Sequence, residues 1–412
     1  MEKLIYAKRR EELLSKMDDS SFAVITSGVS AISTGDQFYP FEVNRNFFYF
    51  TGIDRPDMKL VLLKAPGGSE CVLFIPRKDP YREKWTGYIP YPEEFTEISG
   101  VVKTEYADRF DEYITSAVGG GKYERCYLYC RPVTSDTPPG EDNLLASKFA
   151  NNYRFLELKN LLELSEPLRA VKSPEEKQAV IKAGKITKEA MALMLKGLKP
   201  GIYEYEAQAL FEYGVYRRRA RLAFNTICAG GKNATVLHYT SNDCLLNDGE
   251  MLLIDCGAAL DKYNSDVTRT FPVNGRFTEL QKQYYDIVLG GNMLIIEKAK
   301  AGMTIFELNE ILKKYFVKEL KAANLIKEDN ELEKYYYHSV SHSIGLDTHD
   351  PLGKNTPMTP GNIISDEPGL YIEEYGLGIR IEDDLYITDN GCEVLTDIIK
   401  TTDEIEEVMN KL

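Results

Sequence analysis

Histidine and tryptophan are scarce in this sequence: of 412 residues, four are histidine and one, Trp85, is tryptophan. Basic residues are also in the minority, with 50 lysines and arginines against 64 aspartates and glutamates and a formal net charge of −14. Because nucleic-acid binding needs a basic surface, this balance argues against nucleic acid as the main partner. An acidic surplus can instead supply oxygen ligands for divalent cations.

Long hydrophobic runs and paired cysteines are missing as well. No stretch approaches the length of a membrane span, and the N-terminal segment 1–17 carries mixed charge without the apolar core of a signal peptide. The seven cysteines include no C-x-x-C pair, so we interpret them as reduced thiols. We therefore expect a cytoplasmic protein that does not associate with membranes.

Two domains are expected. Up to about residue 165 strands alternate with helices, which is typical of an α/β domain with a mixed sheet. Residues 4–17 predict an amphipathic helix whose charged run at 8–12 forms a solvated face. Further on, Ser173, Pro174 and Glu176 form a capping-box sequence that starts a long helix. We place an N-terminal domain without histidine at 1–168 and a second domain at 169–412.

The second domain contains a weak internal repeat. Residues 192–206 align with 293–307, and each copy predicts a helix, a glycine turn and the start of another helix. Residues 248–257 align with 360–369, so that both copies end a buried strand on a carboxylate. A histidine precedes each of these strands, His238 in one half and His349 in the other. The alternative interpretation is that any two strand–turn segments look alike.

Four carboxylates lie at the ends or starts of apolar strands, and they are the best candidates for a reactive site. Asp255 ends the strand MLLID, and Asp266 opens the strand DVTRTF after a short loop that should return the chain antiparallel. Glu367 ends IISDE, and Glu382 lies in the expected strand GIRIEDD. Singly, each could be a strand-end or turn residue. Together with His342 they form an oxygen-rich set without thiolate, which suits a pair of divalent ions such as Mn²⁺.

Three of the four histidines, His338, His342 and His349, lie within the segment 335–350. Imidazole at neutral pH is suited to metal ligation and to proton transfer. A chain that uses histidine so sparingly is therefore expected to use this segment for chemistry.

Several segments resemble the Xaa-Pro aminopeptidases (aminopeptidase P), within family M24 and the wider group of creatinase, prolidase and methionine aminopeptidase. They are LHYTSND, LLIDCGAALDKYNSDVTRTF, HSVSHSIGLDTHD, DEPGLYI and GIRIEDD. The resemblance covers roughly residues 170–400 and reaches the N-terminal domain through YPFEVNRNFFYFTGI and DPYREKWTG. It implies an α+β catalytic domain with the pita-bread fold and a pseudo-twofold repeat, after a non-catalytic, creatinase-like α/β domain with a mixed sheet.

The resemblance also implies how the five candidate ligands divide between two metal ions. Asp255 would bind one ion, His342 and Glu367 would bind the other, and Asp266 and Glu382 would bridge the two. Glu367 would in addition orient and deprotonate the water between the ions. Mn²⁺ is the expected metal, with Co²⁺ and Zn²⁺ as alternatives.

The remaining candidate residues would act on the substrate or on a ligand. The resemblance implies that His238 and His349 hydrogen-bond substrate carbonyls and the developing oxyanion, and that His338 lines the pocket after the scissile bond. Arg380 would hold a ligand carboxylate in place. Trp85 would project from a neighbouring subunit toward the proline pocket, the alternative being a buried core aromatic. The resemblance thus implies a homo-oligomer, a dimer or a tetramer.

Three positions depart from the family pattern. Asp366 replaces the usual apolar residue before the metal-binding glutamate, Ser339 stands where glycine is common, and Ser343 where a larger residue is common. None of these departures removes an expected ligand, but they leave metal preference and pocket shape open.

The implied activity is removal of the first residue from peptides with proline at the second position. An Xaa-Pro bond has no amide hydrogen and a fixed φ, so proteases that bind extended substrates recognise it poorly. A hydroxide held between two metal ions could attack the polarised carbonyl without that hydrogen.

Other functions stay open on the sequence alone. A prolidase, which cleaves Xaa-Pro dipeptides, would share all five ligands, whereas the large N-terminal domain disfavours a methionine aminopeptidase. A metal-free creatinase-type hydrolase should lack the ligands. From a different class, an inactive binding module could keep the fold, although such modules usually lose ligands.

Overall fold

The computed structural model describes residues 2–135 and 139–411. By its internal contacts the chain divides into two compact units between Leu168 and Arg169. In the described part of the chain, no helix combines the length and the apolar character that a membrane crossing requires. All seven cysteines are free.

The N-terminal unit combines a mixed sheet with helices. Its strands are β1 (Ser21–Thr26), β2 (Ile32–Thr34), β3 (Gln37–Phe38), β4 (Lys59–Ala65), β5 (Gly68–Ile75), β6 (Lys103–Tyr106), β7 (Arg125–Leu128) and β8 (Glu157–Asn160). Its helices are α1 (Lys3–Lys16), α2 (Arg45–Thr51), α3 (Pro80–Thr86), α4 (Pro92–Ser99), α5 (Phe110–Gly119), α6 (Glu141–Asn152) and α7 (Leu162–Ala170), the last of which runs past the division.

The main sheet of this unit has the order β6-β5-β4-β1-β7-β8. The neighbours β1/β4 and β4/β5 are antiparallel, whereas β1/β7, β7/β8 and β5/β6 are parallel. The expectation of an α/β domain with a mixed sheet is confirmed.

One prediction for helix α1 is wrong: the charged run at 8–12 is not a solvated face throughout, because Arg9 and Arg10 are buried. Arg9 Nη1 donates to the Tyr49 carbonyl oxygen at 3.0 Å. Arg10 Nη1 donates to the Phe50 carbonyl at 2.7 Å and to the Ser99 carbonyl at 2.9 Å. These carbonyls lie in the last turns of α2 and α4, where a helix lacks its own donors, so the guanidinium groups satisfy them.

The C-terminal unit is built from small antiparallel sheets and long helices. Its strands are β9 (Arg221–Leu222), β10 (Ile227–Gly230), β11 (Met251–Cys256), β12 (Ala258–Leu260), β13 (Tyr263–Asn264), β14 (Val267–Pro272), β15 (Ile363–Asp366), β16 (Gly369–Ile372), β17 (Leu377–Arg380), β18 (Asp383–Ile387) and β19 (Cys392–Val394). Its helices are α8 (Pro174–Leu195), α9 (Glu204–Tyr216), α10 (Glu279–Lys298), α11 (Ile305–Ala322) and α12 (Thr402–Met409).

The sheets of this unit have the orders β10-β11-β14, β13-β12-β9, β15-β18-β19 and β16-β17. One apolar core joins the helices to these sheets, with Phe211 of α9, Phe271 of β14, Leu312 of α11 and Ile379 of β17 fully buried. Burial of each such side chain contributes roughly 1.5–3 kcal/mol to folding, so the core can support strands that carry polar side chains on their other face.

Helix α8 begins as its sequence predicts. Ser173 Oγ accepts from the Glu176 amide at 3.3 Å, and Glu176 Oε2 accepts from the Ser173 amide at 2.9 Å, which completes the capping box. The predicted apolar face is buried; it consists of Val180, Ala183, Thr187, Ala190, Met191 and Met194.

The aligned segments of the internal repeat have the same local structure. Between α8 and α9 and again between α10 and α11 the chain turns at a left-handed glycine, Gly201 with φ +89° and Gly302 with φ +87°. At the start of each following helix a glutamate accepts from the amide three residues earlier, Glu206 from Tyr203 at 2.8 Å and Glu307 from Thr304 at 2.8 Å. The similarity therefore reflects structure and not only strand–turn composition.

Candidate metal centre

The first pair of carboxylates lies on neighbouring antiparallel strands. Strand β11 pairs with β14 so that Asp255 lies opposite Thr268, and Asp266 immediately precedes β14. The expected antiparallel return is confirmed, and β12 and β13 make the turn between the two strands.

The second pair has the same arrangement. Strand β15 pairs antiparallel with β18, with Asp366 opposite Asp383; Glu367 follows β15 and Glu382 precedes β18. The expectation that GIRIEDD is one strand is wrong, since β17 ends at Arg380 and β18 starts at Asp383.

The strand breaks at Glu382 because this residue bonds to the other half of the unit. The Glu382 amide donates to the Thr268 carbonyl at 3.0 Å, and Thr268 Oγ1 donates to Glu382 Oε2 at 2.7 Å. The break therefore places the carboxylate of the second half beside those of the first half.

All the candidate site residues of this unit line one cavity of about 620 Å³. They are Asp255, Asp266, His342, Glu367, Glu382, His238, His338, His349 and Arg380. Trp85 lies on α3 of the N-terminal unit, and 76% of its surface is exposed. The alternative that it is a buried core aromatic is wrong, and its role at the proline pocket stays a prediction.

His342 is the centre of the ligand cluster. Its Nε2 atom lies 3.4 Å from Asp266 Oδ2 and 3.6 Å from Glu367 Oε1. Ligand atoms of Asp266, His342 and Glu382 all lie within 4.8 Å of one another. Asp255 lies on β11, which pairs with β14 near the end of that strand from which Asp266 projects. Both halves of the repeat thus contribute donor atoms to one small volume.

The residues present fit a pair of metal ions. Asp255 Oδ1 is buried and accepts no hydrogen bond within the described residues, which is costly for a carboxylate unless a cation takes the lone pairs. The other donors are carboxylates and one imidazole, a set that matches hard to borderline divalent ions.

The acidic ligands repel one another in the absence of a cation. Burial raises the pKa of Glu367 to about 7. Burial and the charges of Asp266 and Glu367 also raise the pKa of Glu382 well above its usual value. Burial opposes a charge on His342, but its contacts with Asp266 and Glu367 outweigh that effect and raise its pKa to about 9. A divalent cation would replace these protons, because ligands bind metals in their deprotonated forms.

Arg380 is only 4% exposed and orients the candidate ligand Asp255. Its Nη2 donates to Asp255 Oδ2 at 2.6 Å, its Nη1 to the Tyr371 hydroxyl at 2.9 Å, and its Nε to Thr268 Oγ1 at 3.1 Å. These bonds leave Asp255 Oδ1 as the oxygen that is free to bind a cation. Arg380 thus contacts the Asp255 carboxylate directly, and its role in the reaction stays a prediction.

Tyr371 and Thr268 are site residues that the sequence reasoning missed. The Tyr371 hydroxyl lies 2.9 Å from His338 Nε2 and so connects that histidine to Arg380. Thr268 lies in DVTRTF, two positions after Asp266. Tyr371 lies in DEPGLYI, two positions after Gly369. The period-2 alternation of a strand could have placed both side chains on the ligand face.

The other histidines lie along the cavity wall, and two of them, His338 and His349, are held neutral. The His349 ring stacks on that of His342, with centroids 4.0 Å apart and planes 12° apart. Burial and the charge of Arg380 lower the pKa of His338 to about 3, while burial and neighbouring His342 lower that of His349 to about 4. His238 lies in a turn at the cavity wall. Neutral imidazole can donate to a carbonyl through one nitrogen and accept through the other.

A buried ion cluster holds the loop between His342 and His349. Asp350 accepts from Arg169 Nη2 at 2.5 Å and from Lys172 Nζ at 2.9 Å. A Cβ atom at Gly345 would lie 2.5 Å from Asp350 Oδ2, so only glycine lets the loop close over this carboxylate. The sequence analysis did not identify Arg169 and Lys172 as partners of Asp350.

Hydrogen bonds accommodate two of the departures from the family pattern fully and Asp366 in part. Buried Asp366 points away from Glu367, as alternate residues at a strand end do, and its Oδ2 accepts from Asn292 Nδ2 at 3.0 Å. Its Oδ1 is buried and accepts no hydrogen bond within the described residues. Ser343 Oγ donates to the Ile363 carbonyl at 3.3 Å, and Ser339 Oγ donates to the Ser341 carbonyl at 3.2 Å.

Comparison with known proteins agrees with this architecture. Residues 178–389 match metallopeptidase family M24, and residues 6–127 match the aminopeptidase P N-terminal domain. The Xaa-Pro aminopeptidase of Escherichia coli is 32% identical over 98% of this chain and 97% of its own length.

Solved structures show the same fold over the whole chain. A provisionally assigned aminopeptidase P from Bacillus anthracis is 39% identical, with a TM-score of 0.97 over 100% of this chain and 99% of its own. A zinc-substituted E. coli aminopeptidase P in complex with product is 30% identical, with a TM-score of 0.90 over the same shares. The expected pita-bread fold with its N-terminal α/β domain is confirmed. The chain belongs to the aminopeptidase P group of metallopeptidase family M24.

Proposed function

We propose that this chain is a dinuclear-metal aminopeptidase that hydrolyses the bond between the first residue of a peptide and a proline at the second position. The observation that carries this proposal is the convergence of Asp266, His342 and Glu382, whose ligand atoms lie within 4.8 Å of one another although they come from both halves of the repeat. Asp255, with its unpartnered buried oxygen, and Glu367, 3.6 Å from His342, complete the ligand set.

Bound there, two divalent ions would supply a Lewis acid for the scissile carbonyl and an acidified water as nucleophile. The chain's own residues orient the reactants. Glu367 would accept the proton of the attacking water at a carboxylate oxygen.

The imidazoles of His238 and His349 would donate to the substrate carbonyl and to the developing oxyanion. His338 would line the pocket after the scissile bond, held by Tyr371. Arg380 would keep Asp255 oriented. We further propose that Trp85, exposed on α3, contacts the proline pocket of a neighbouring subunit in a dimer or tetramer.

Mn²⁺ is the ion we propose, because four carboxylates and one imidazole without thiolate form a hard to borderline donor set. Co²⁺ and Zn²⁺ are the alternatives, and one E. coli relative has been solved with zinc. The free cysteines and the net charge of −14 support a cytoplasmic enzyme that does not act on nucleic acid. An inactive binding module would not need five ligands directed at one cavity.

The test is hydrolysis by the Mn²⁺-loaded protein of Xaa-Pro-Xaa, Xaa-Pro and Xaa-Ala-Xaa peptides, with bound metal measured in the same samples. We expect cleavage of the first bond of Xaa-Pro-Xaa only, and loss of that activity on chelation. Cleavage of the dipeptide alone would instead identify a prolidase. Equal cleavage of Xaa-Ala-Xaa would contradict the proline specificity.

A further inference from the structure

Helix α9 begins with a glutamate whose carboxylate is fully buried and surrounded by hydrogen-bond donors. Glu204 Oε1 accepts from the Gly230 amide at 2.6 Å and from Asn233 Nδ2 at 3.0 Å. Glu204 Oε2 accepts from the Tyr239 hydroxyl at 2.8 Å and from the Cys244 amide at 2.9 Å. These four hydrogen bonds compensate the carboxylate for the hydration that it loses on burial.

The same region could be interpreted as a second metal site, since ligand atoms of Glu204, Asp243 and Cys244 lie within 4.8 Å of one another. The hydrogen bonds argue against this interpretation, because each oxygen of Glu204 already accepts two of them. A carboxylate oxygen has two lone pairs for such bonds, so Glu204 has no acceptor capacity left for an ion. The carboxylate therefore acts as a shared hydrogen-bond acceptor.

Two of its four donors belong to the segment that carries His238. Residues 238–244 form neither helix nor strand. Tyr239 follows His238 directly and Cys244 ends the segment, and both bond to Glu204. The exposed His238 ring makes no hydrogen bond or ion pair with any other residue that the structure describes. Its position at the cavity wall is therefore set by the backbone on either side of it.

Helix α9 holds this segment at a further point through Asn242. Asn242 Nδ2 donates to Gln208 Oε1 at 2.9 Å and to the Thr226 carbonyl at 2.9 Å. Asn242 has a left-handed φ of 49°, a conformation that asparagine adopts more readily than most residues. Because Glu204 and Gln208 are four residues apart, they lie on one face of α9. This face thus fixes both ends of the segment.

We propose that Glu204 is a positioning residue for His238: by binding the Tyr239 hydroxyl and the Cys244 amide, it fixes the turn that carries the imidazole. This inference rests on the proposed function, in which His238 donates to the substrate carbonyl or to the oxyanion. Glu204 does not line the cavity, so it acts through the turn and not on the substrate. A displacement of about 1 Å at a reacting group can lower the rate by on the order of 100-fold.

The test is a pair of double-mutant cycles on the full-length Mn²⁺-loaded protein, with kcat/KM for an Xaa-Pro-Xaa tripeptide as the readout. Glu204→Gln keeps the size of the side chain but places an amide NH₂ group against two of the four donors. We expect kcat/KM to fall by about 10- to 100-fold, as is usual when an orienting group is lost. Tyr239→Phe removes one donor only and should lower kcat/KM by about 2- to 10-fold, the factor that one hydrogen bond contributes.

The cycles separate positioning from a general structural role. In the His238→Ala background, Glu204→Gln and Tyr239→Phe should each change kcat/KM by less than about twofold, because the imidazole that they displace is absent. Bound Mn²⁺ should stay at the wild-type value in every variant. Glu206→Gln is the matched control, because Glu206 lies in the same turn of α9 but is exposed and accepts from the Tyr203 amide; it should keep the wild-type kcat/KM.

Three results would overturn the inference: wild-type kcat/KM in both Glu204→Gln and Tyr239→Phe, the same fold-loss with and without His238, or loss of Mn²⁺ in step with activity. Each of them leaves the proposed function standing as long as the wild type cuts the Xaa-Pro bond. If Glu204→Gln does not fold, the Tyr239→Phe cycle decides alone. A wild type that cuts no Xaa-Pro-Xaa peptide would overturn the proposed function, and the inference with it.

Discussion

Thr268 and Glu382 connect the two halves of the internal repeat through both backbone and side chain. The Glu382 amide donates to the Thr268 carbonyl at 3.0 Å, and the Thr268 hydroxyl donates to Glu382 Oε2 at 2.7 Å. The hydroxyl also accepts from Arg380 Nε at 3.1 Å. One threonine therefore orients a ligand of the second half and the arginine that holds Asp255 of the first.

Replacement of Thr268 by valine keeps the shape of the side chain and removes these bonds. We expect Mn²⁺ affinity to fall by about 10- to 100-fold, the usual effect of losing a group that orients a ligand. Isothermal titration of the metal-free protein measures this change. Thr270→Val is the control, because Thr270 is also buried in β14 but bonds to the Arg380 backbone. If both variants lose the same affinity, the hydroxyl of Thr268 has no special role.

The metal-free protein should lose stability as the pH rises from 7 to 9. The pKa of His342 is raised to about 9 by Asp266 and Glu367 against the effect of burial, whereas in the unfolded chain it is near 6.5. A group whose pKa is higher in the folded protein than in the unfolded chain stabilises the fold at pH values below its unfolded-chain pKa. This stabilisation is lost as the pH rises through its pKa in the folded protein. Protonated Glu367 also stabilises the folded protein, but most of this stabilisation is already lost below pH 7, because the pKa of Glu367 in the folded protein is about 7.

Urea unfolding in the presence of chelator at several pH values measures this loss, which we expect to be on the order of 2 kcal/mol. The neutral His338 and His349 do not contribute, because their pKa values are lowered to about 3 and about 4. The buried thiols of Cys126, Cys228 and Cys256, whose pKa values burial raises, add to the loss in the variant as well as in the wild type. His342→Gln should therefore make the loss between pH 7 and 9 smaller by about 2 kcal/mol without abolishing it. A loss in that variant as large as in the wild type would disprove the assignment to His342.

Removal of the Asp350 charge should lower the stability of the folded protein more than removal of the charge of an exposed carboxylate. Asp350→Asn leaves Arg169 and Lys172 buried beside a neutral amide, and breaking a buried pair in this way costs about 3–5 kcal/mol. Asp397→Asn is the control, since Asp397 is fully exposed beside Lys188, and such pairs contribute about 0–1 kcal/mol. Thermal unfolding of both variants compares them directly. Equal unfolding temperatures would refute the importance of the ion cluster.

Local patterns predicted much of this molecule from its sequence. The Ser173–Glu176 capping box, the repeat around Gly201 and Gly302, and the antiparallel return after Asp255 all depend on neighbours within a few residues, and each has the expected structure. The resemblance to a family identified the fold and all the candidate residues that line the cavity.

Contacts between distant residues were the part that could not be predicted. Buried Arg10 donates to the carbonyls of residues 50 and 99, and buried Asp350 pairs with the cations at positions 169 and 172. Glu382 interrupts an apparently continuous strand because its amide bonds to Thr268, 114 residues earlier in the chain. The periodicity of apolar residues carries no information about such distant partners. The sequence therefore suggested an exposed helix face at 8–12 and an unbroken strand at Glu382, and it did not indicate the cations beside Asp350.

The most direct test of the account is the number of Mn²⁺ ions that bind to the metal-free protein and to ligand variants, measured by titration and metal analysis. We predict two ions per chain in the wild type, one in Asp255→Asn and in His342→Ala, and none held tightly in Asp266→Asn, with Xaa-Pro cleavage lost in parallel. Two tightly held ions in all three variants, or none in the wild type, would contradict the claim that both halves of the repeat build one dinuclear centre.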